Sequence, residues 1–284
     1  MQSQVWYNNG AMITLRQFED ALRGGEYRTP DDALRTPPLP RGFRAWWRFF
    51  GIGIGKTLLS DLSGSLKKGF SQATFSEMSL RTIQAIESTG APVTVEGGAR
   101  IAALGGRPCV FAANHMSLVE TVNLPCILGT FGPVAIVAKR SLSRYPLFGA
   151  CLKAVNPILL DRKNVRHDLS ETLSQGKARL AEGRSVLLFP QGTRLAVFDP
   201  RKFNSLGAKL AREAGVPLVP VACKTDYAEL GRLLKDFGPI DPSRPVKYAL
   251  GPALDPALPQ AELMARCTEF IVERLTSWGC PCAK

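Results

Sequence analysis

From residue 90 onward the chain repeats one pattern: a short run of β-branched and apolar residues, then a longer amphipathic run. The short runs are VTVEG at 93–97, CVFAAN at 109–114, VAIVAK at 134–139, VLLFP at 186–190, LVPVAC at 218–223 and VKYAL at 246–250. Runs this brief and this apolar suit sheet strands covered on both faces. Between them, 164–182 and 203–214 carry helical periodicity, and 260–278 reads as a closing helix with Leu263, Cys267, Phe270, Ile271 and Leu275 on one side. Strands that alternate with helices are joined by crossovers, so the pattern predicts an α/β fold with a mixed, partly parallel sheet flanked by helices. With 284 residues, 45% of them hydrophobic, the chain has material for a full core.

Ahead of this pattern the composition changes twice. Residues 1–42 mix short polar segments with Pro30, Pro37, Pro38 and Pro40, which predicts an N-terminal arm ending in a proline-stiffened connector. Residues 43–89 read as an N-terminal helical, membrane-contacting segment, and 90–284 as the main domain. The stretch opening FRAWWRFFGIGIGK sets Trp46, Trp47, Phe49 and Phe50 among Arg44, Arg48 and Lys56. Such a cluster can settle at the headgroup boundary of a bilayer. It can equally fill a groove on the main domain. The apolar stretch 45–59 is interrupted by Arg48 and Lys56 and is shorter than the roughly 20 residues that span a bilayer. Because MQSQVWYNNG lacks the basic start and apolar run of a secretory leader, the expected location is cytoplasmic, peripheral on the cytoplasmic face of a membrane.

The net charge of +12 favours polyanionic partners such as anionic lipid, an acidic carrier or coenzyme phosphates. The basic residues are scattered rather than gathered in a tail, so no nucleic-acid partner is expected. Seven cysteines, at 109, 126, 151, 223, 267, 280 and 282, are an odd number, and the first four lie in apolar runs, a reduced-thiol pattern. No His/Cys spacing suits a zinc site, so no metal is expected. Gly55-Lys56-Thr57 lacks the glycine a phosphate-binding P-loop needs, since Phe50 stands there.

Two motifs carry chemistry. In FAANHMSLVET, His115 follows a strand and Glu120 comes five residues later. On one helix those two would lie roughly 140° apart, but they can meet at a strand-to-helix corner, where the carboxylate would orient an imidazole base. Ser117-Leu118-Val119-Glu120 also has the form of a helix capping box, which would give Glu120 a purely structural role. In SVLLFPQGTR, a strand leads into a turn where Gly192 permits close backbone approach and Arg194 offers a forked anion contact. An ordinary tight turn has the same look. His167, at the polar start of a helix, reads as solvated or capping.

Taken together, NHMSLVE, VAKRSLSRYPLFG, ILLDRKN, FPQGTR and VPLVPVA occur in the order and approximate spacing of the signature blocks of lysophosphatidate acyltransferases. The chain thus resembles the glycerolipid acyltransferase superfamily over about residues 90–225. The resemblance implies His115 as catalytic base and Glu120 as its acidic partner. It implies a substrate-binding set of Asn114, Lys139, Gln191, Gly192, Thr193 and Arg194, with Val216, Pro217 and Pro220 shaping the acyl or carrier site. Glu120 stands where the family more often has Asp, and Gln191 where it normally has Glu.

The implied reaction moves a fatty acyl group from acyl-CoA or acyl-carrier protein, as co-substrate, to the hydroxyl of a lysophospholipid, above all 1-acylglycerol-3-phosphate to phosphatidate. No other cofactor is expected, and the absence of a G-x-S-x-G elbow removes the usual serine nucleophile. Gln191 raises a lyso-aminolipid as an alternative acceptor. A catalytically silent membrane-binding relative is the alternative of another class.

Overall fold

The short apolar runs and the helices between them resolve into one eight-stranded sheet with helices on both faces. The computed structural model describes residues 13–57, 71–144, 149, 152, 156–161, 163–231 and 236–283. The strands are β1 (Glu26–Arg28), β2 (Val93–Glu96), β3 (Val110–Ala113), β4 (Val134–Lys139), β5 (Ile158–Leu160), β6 (Ser185–Leu188), β7 (Leu218–Lys224) and β8 (Val246–Leu250), in spatial order β1-β2-β8-β7-β3-β6-β4-β5. Pairing is parallel between β2 and β8 and through β7, β3, β6, β4 and β5; β1/β2 and β7/β8 are antiparallel. The sheet is thus mixed and mostly parallel. Each of the six expected runs forms a strand, while β1 and β5, three residues each, are too short to announce themselves by period.

The described helices include α1 (Leu15–Gly24), α2 (Phe43–Trp46), which continues as a π-helical stretch Trp47–Ile54, α3 (Gln72–Glu87), α4 (Gly98–Ala102), α5 (Val119–Gly129), α6 (Val165–Ala181), α7 (Leu206–Ala214) and α8 (Gln260–Ser277). Strand alternation assigns side chains to the two layers. In β3, Phe111 and Ala113 join the core beneath α3 and α5, with Ile83, Ile86, Leu124 and Ile127. Val110 and Ala112 face the other core, with Leu173 of α6, Ala208 and Leu210 of α7, and Leu263 and Ile271 of α8. All four β3 residues are buried, as a central strand between two helical layers requires.

The N-terminal residues are more integrated than an arm. Thr14 and Gln17 form a reciprocal capping box for α1, Phe18 and Leu22 are fully buried, and Tyr27 packs on Phe18 with ring centroids 4.7 Å apart. Tyr27 pairs with Val95, so β1 extends the main sheet. The apolar spacing Phe18, Leu22, Tyr27 supplies the burial, and the prolines begin only afterwards.

The aromatic cluster is part buried and part exposed. Ala45, Phe49 and Phe50 are buried, Phe49 meeting Tyr227 edge-on at 5.4 Å. Phe43 and Trp47 are 74% and 52% exposed, and Phe237, in ring contact with Phe50, is 51% exposed. Among the described residues no helix is long and apolar enough to cross a membrane. Residues 58–70 of the expected membrane-contacting segment lie outside the described residues.

Candidate active site

Three adjacent strands bring the chemistry together. β3 lies between β7 and β6, all parallel, so their C-terminal ends open on the same edge of the sheet. His115 follows β3, the 189–194 turn follows β6, and Thr225 follows β7. Side chains far apart in sequence therefore meet at one edge, where open α/β sheets commonly place ligands.

His115 Nδ1 lies 2.7 Å from Glu120 Oε1. The histidine leaves the strand end and Glu120 occupies the first turn of α5, the corner geometry that a single helix forbids. The capping alternative proves compatible rather than exclusive. The same Oε1 accepts the backbone N–H of Met116 at 2.7 Å and of Ser117 at 2.8 Å, while Oε2 accepts the hydroxyls of Ser117 at 3.1 Å and Thr225 at 2.5 Å. Ser117 Oγ in turn accepts the N–H of Val119 at 3.0 Å.

Glu120 is fully buried. Burial pushes its carboxyl toward neutrality, but the hydrogen bond and charge of His115 and the Thr225 hydroxyl outweigh this and hold it below the ordinary carboxylate range. An ionised, acceptor-only Glu120 assigns the ring proton to Nδ1, which leaves Nε2 with the lone pair. Phe189 stacks on the imidazole, centroids 4.3 Å apart at 24°, and fixes the ring plane.

The second motif is tied to the first. Gly192 N–H closes a turn on the Phe189 carbonyl at 3.0 Å, with Pro190 in its second position. Gly192 has φ +68°, a left-handed backbone that favours glycine, and a Cβ there would meet nothing within 4 Å, so the surface beside it is open. Gln191 Oε1 accepts the His115 N–H at 2.7 Å, and Leu195 N–H donates to the His115 carbonyl at 2.9 Å. Asn204 donates from its side chain to the Pro190 carbonyl. Arg194 is partly buried and ion-paired with Asp236. Burial lowers its pKa while the charge of Glu120 works in the opposite sense, so the cation and the dyad share one electrostatic environment. Thr193 is exposed at the tip.

Two residues of the expected substrate-binding set stand elsewhere. Asn114 is 2% exposed with both ends of its amide engaged: Nδ2 donates to the Cys223 carbonyl at 2.9 Å and Oδ1 accepts the Cys223 N–H at 2.7 Å. It joins β3 to β7 instead of facing a ligand. Lys139 ends β4, across β6 from β3, with an exposed side chain, and among the described contacts it joins neither the dyad nor the turn. Conversely, Thr225 and Asp236 belong to no motif legible in the sequence. Phe189 does lie inside one, and an aromatic residue one step past a strand end was the available signal.

A buried carboxylate paired with a part-buried imidazole, and a turn that carries a guanidinium, thus stand together on the C-terminal edge of a mostly parallel sheet. Residues 92–224 match the Acyltransferase family model. A 1-acyl-sn-glycerol-3-phosphate acyltransferase of Pseudomonas aeruginosa is 40% identical over 116 residues, 41% of this chain and 44% of that protein. A lyso-ornithine lipid O-acyltransferase of Rhizobium meliloti is 31% identical over 87 residues, 31% of this chain and 28% of that protein. These alignments span less than half of either relative. The crystal structure of the 1-acyl-sn-glycerophosphate acyltransferase PlsC from Thermotoga maritima shares the fold, with a TM-score of 0.58 at 21% identity, over 85% of this chain and 96% of that one. Over residues 92–224 the chain thus resembles the Acyltransferase family, and its relatives there are glycerolipid acyltransferases by name.

Proposed function

We propose that the protein transfers a fatty acyl group from a thioester donor, acyl-CoA or acyl-carrier protein, to the hydroxyl of a lysophospholipid, with 1-acylglycerol-3-phosphate as acceptor and phosphatidate as product. The observation that carries this reading is the 2.7 Å contact of His115 Nδ1 with an ionised, buried Glu120. In the proposed reaction His115 Nε2 takes the proton of the acceptor hydroxyl as that oxygen attacks the thioester carbonyl carbon. The tetrahedral intermediate collapses with cleavage of the C–S bond, and the thiolate leaves with the proton from the imidazolium, which returns the histidine to its neutral form. Glu120 stabilises the transient cation. Arg194 holds the acceptor phosphate, and the neighbouring Asp236 is the anion that the phosphate displaces. The names of the relatives support a glycerophosphate-based acceptor.

A second acceptor class, a lyso-aminolipid, is supported by the likeness to the lyso-ornithine lipid enzyme. The exposed Phe43 and Trp47 support peripheral attachment to an anionic membrane surface.

The test is turnover of labelled acyl-CoA and acyl-carrier protein with a panel of lysolipids, by wild type and His115→Ala. Expected is phosphatidate formation that falls about a hundredfold or more in the folded variant. Turnover of another acceptor without phosphatidate would remove the assigned product, and equal rates in wild type and variant would remove the mechanism.

A further inference from the structure

Helix α5, which carries Glu120 in its first turn, contains Pro125. Pro125 has no N–H, so the Thr121 carbonyl loses the donor that an α-helix supplies four residues on. In a regular helix the next rung joins the Cys126 N–H to the Val122 carbonyl, and here the hydroxyl of Ser79 stands on both groups. Its Oγ accepts the Cys126 N–H at 3.0 Å and donates to the Val122 carbonyl at 2.6 Å, with the Asn123 carbonyl 3.1 Å away. Of two consecutive rungs, the proline removes one and a side chain from another helix bridges the other.

Ser79 lies within α3 and is buried. A serine inside a helix commonly turns its hydroxyl to water or to a carbonyl of its own preceding turn. Every hydrogen bond described for the Ser79 hydroxyl goes instead to α5. Nearly one turn further along α3, the Thr82 hydroxyl donates to Asn123 Oδ1 at 2.6 Å, and Asn123 Nδ2 donates to the Tyr248 hydroxyl at 3.0 Å. Asn123 and Glu120 are three residues apart and so share a face of α5. From that face Glu120 reaches Thr225, just past β7, and Asn123 reaches Tyr248 of β8.

Glu120 lies N-terminal to Pro125, in a turn whose fastening to the remainder of α5 has lost a rung. A hydrogen bond as short as that between Glu120 and His115 tolerates roughly half an ångström of displacement before it weakens. We propose that Ser79 is a positioning residue for the dyad: its hydroxyl, bridging the rung beside Pro125, holds the first turn of α5 where the Glu120 carboxylate meets His115 Nδ1. Ser79 acts through Glu120 and touches no reacting atom. Its effect on turnover rests on the reading of the protein as an acyltransferase with His115 as base.

The experiment observes the ring proton of His115 and the rate together. The chain has two histidines, and His167 is exposed, where a ring N–H exchanges with water. In protein isotope-labelled at its histidine nitrogens, the hydrogen-bonded His115 Nδ1–H should give a downfield proton resonance that is absent from His115→Ala. Ser79→Ala should move that resonance upfield and lower kcat about tenfold or more, with KM for lysophosphatidate little changed. Ser79→Thr, which keeps a hydroxyl, should restore both. Ser79→Cys fills the space with a weak donor and should change both in the same direction as Ser79→Ala, so it decides the matter even if Ser79→Ala fails to fold. Pro125→Ala returns the missing N–H, and in that background the effect of removing the hydroxyl should shrink. An unmoved resonance in the folded Ser79 variants overturns the proposal, whether or not kcat falls. So does an equal loss in both backgrounds, since the hydroxyl would then act apart from the break. The resonance is read without substrate: failure of wild type to acylate any lysolipid would remove the reaction, while the spectrum still decides whether Ser79 places Glu120.

Discussion

The hydroxyl of Thr225 donates to Oε2 of Glu120 at 2.5 Å, across 105 residues of sequence. With the Ser117 hydroxyl it completes the set of donors around the carboxylate, and it comes from a different strand than the histidine that the carboxylate orients. Thr225→Val keeps the shape and removes this donor. Glu120, whose carboxyl is held low in the folded protein, contributes in its ionised form above its unfolded pKa, and that contribution is lost as pH falls through its folded value. With one donor fewer, the folded value moves upward. The acid limb of the kcat profile should therefore shift to higher pH, with kcat at neutral pH reduced a few-fold, about 1 kcal/mol in the barrier. Profiles superimposable with wild type would reduce Thr225 to a packing residue.

Asp236 occupies the guanidinium of Arg194 in the free protein. If an acceptor phosphate takes its place, Asp236→Asn removes a competitor. KM for lysophosphatidate should fall a few-fold while kcat holds, since an exchange of partners at a partly exposed site is worth about 1 kcal/mol. A raised KM would show that Asp236 positions the arginine rather than competing for it.

Glu87 ends α3 with 1% exposure, and its Oε1 accepts the hydroxyls of Tyr27 at 2.6 Å and Thr29 at 2.8 Å. Burial lifts its pKa from 4.5 to about 7, against the pull of those two hydrogen bonds. The folded state thus binds a proton more tightly than the unfolded one. Stability from this group is complete below pH 4.5 and declines as pH rises to about 7, by about 3 kcal/mol. Glu87→Gln retains an acceptor for both hydroxyls and cannot ionise. Urea denaturation should find the variant gaining on wild type between pH 5 and pH 8, and a constant difference across that range would show that Glu87 stays ionised.

Phe43 and Trp47 are exposed, whereas Phe49, on the same helical stretch, is fully buried. Replacing Phe43 and Trp47 together by Ser should weaken sedimentation with anionic vesicles about tenfold or more and leave the denaturation midpoint nearly unchanged. Phe49→Ser should instead cost about 3 kcal/mol of stability or more. If vesicle binding survives the double substitution, the exposed rings are not the contact.

The sheet was legible because central parallel strands are apolar throughout, so runs such as CVFAAN and VAIVAK stand out against amphipathic neighbours. β1 and β5 were not, since three residues leave no period and their partners lie far away in sequence. At the site, His115 and Glu120 could be read because both fall within one short corner. The capping box could not be ranked against the dyad from spacing alone, because one carboxylate oxygen serves both. Thr225 and Asp236 escaped notice because their roles depend on which strand ends and loops become neighbours. Asn114 adjoins His115 in sequence yet serves the sheet, a distinction set by where its amide points.

That amide gives β3 and β7 a reference mark. Two reciprocal bonds between Asn114 and Cys223 lie just beyond the last paired residues, Ala113 and Val221. Side chains along a strand alternate faces, so a one-residue slip would turn the end of β7 over and carry the Thr225 hydroxyl away from Glu120. Asn114 therefore acts as an alignment pin. It touches none of the reacting groups, yet it decides which face of the neighbouring strand they see.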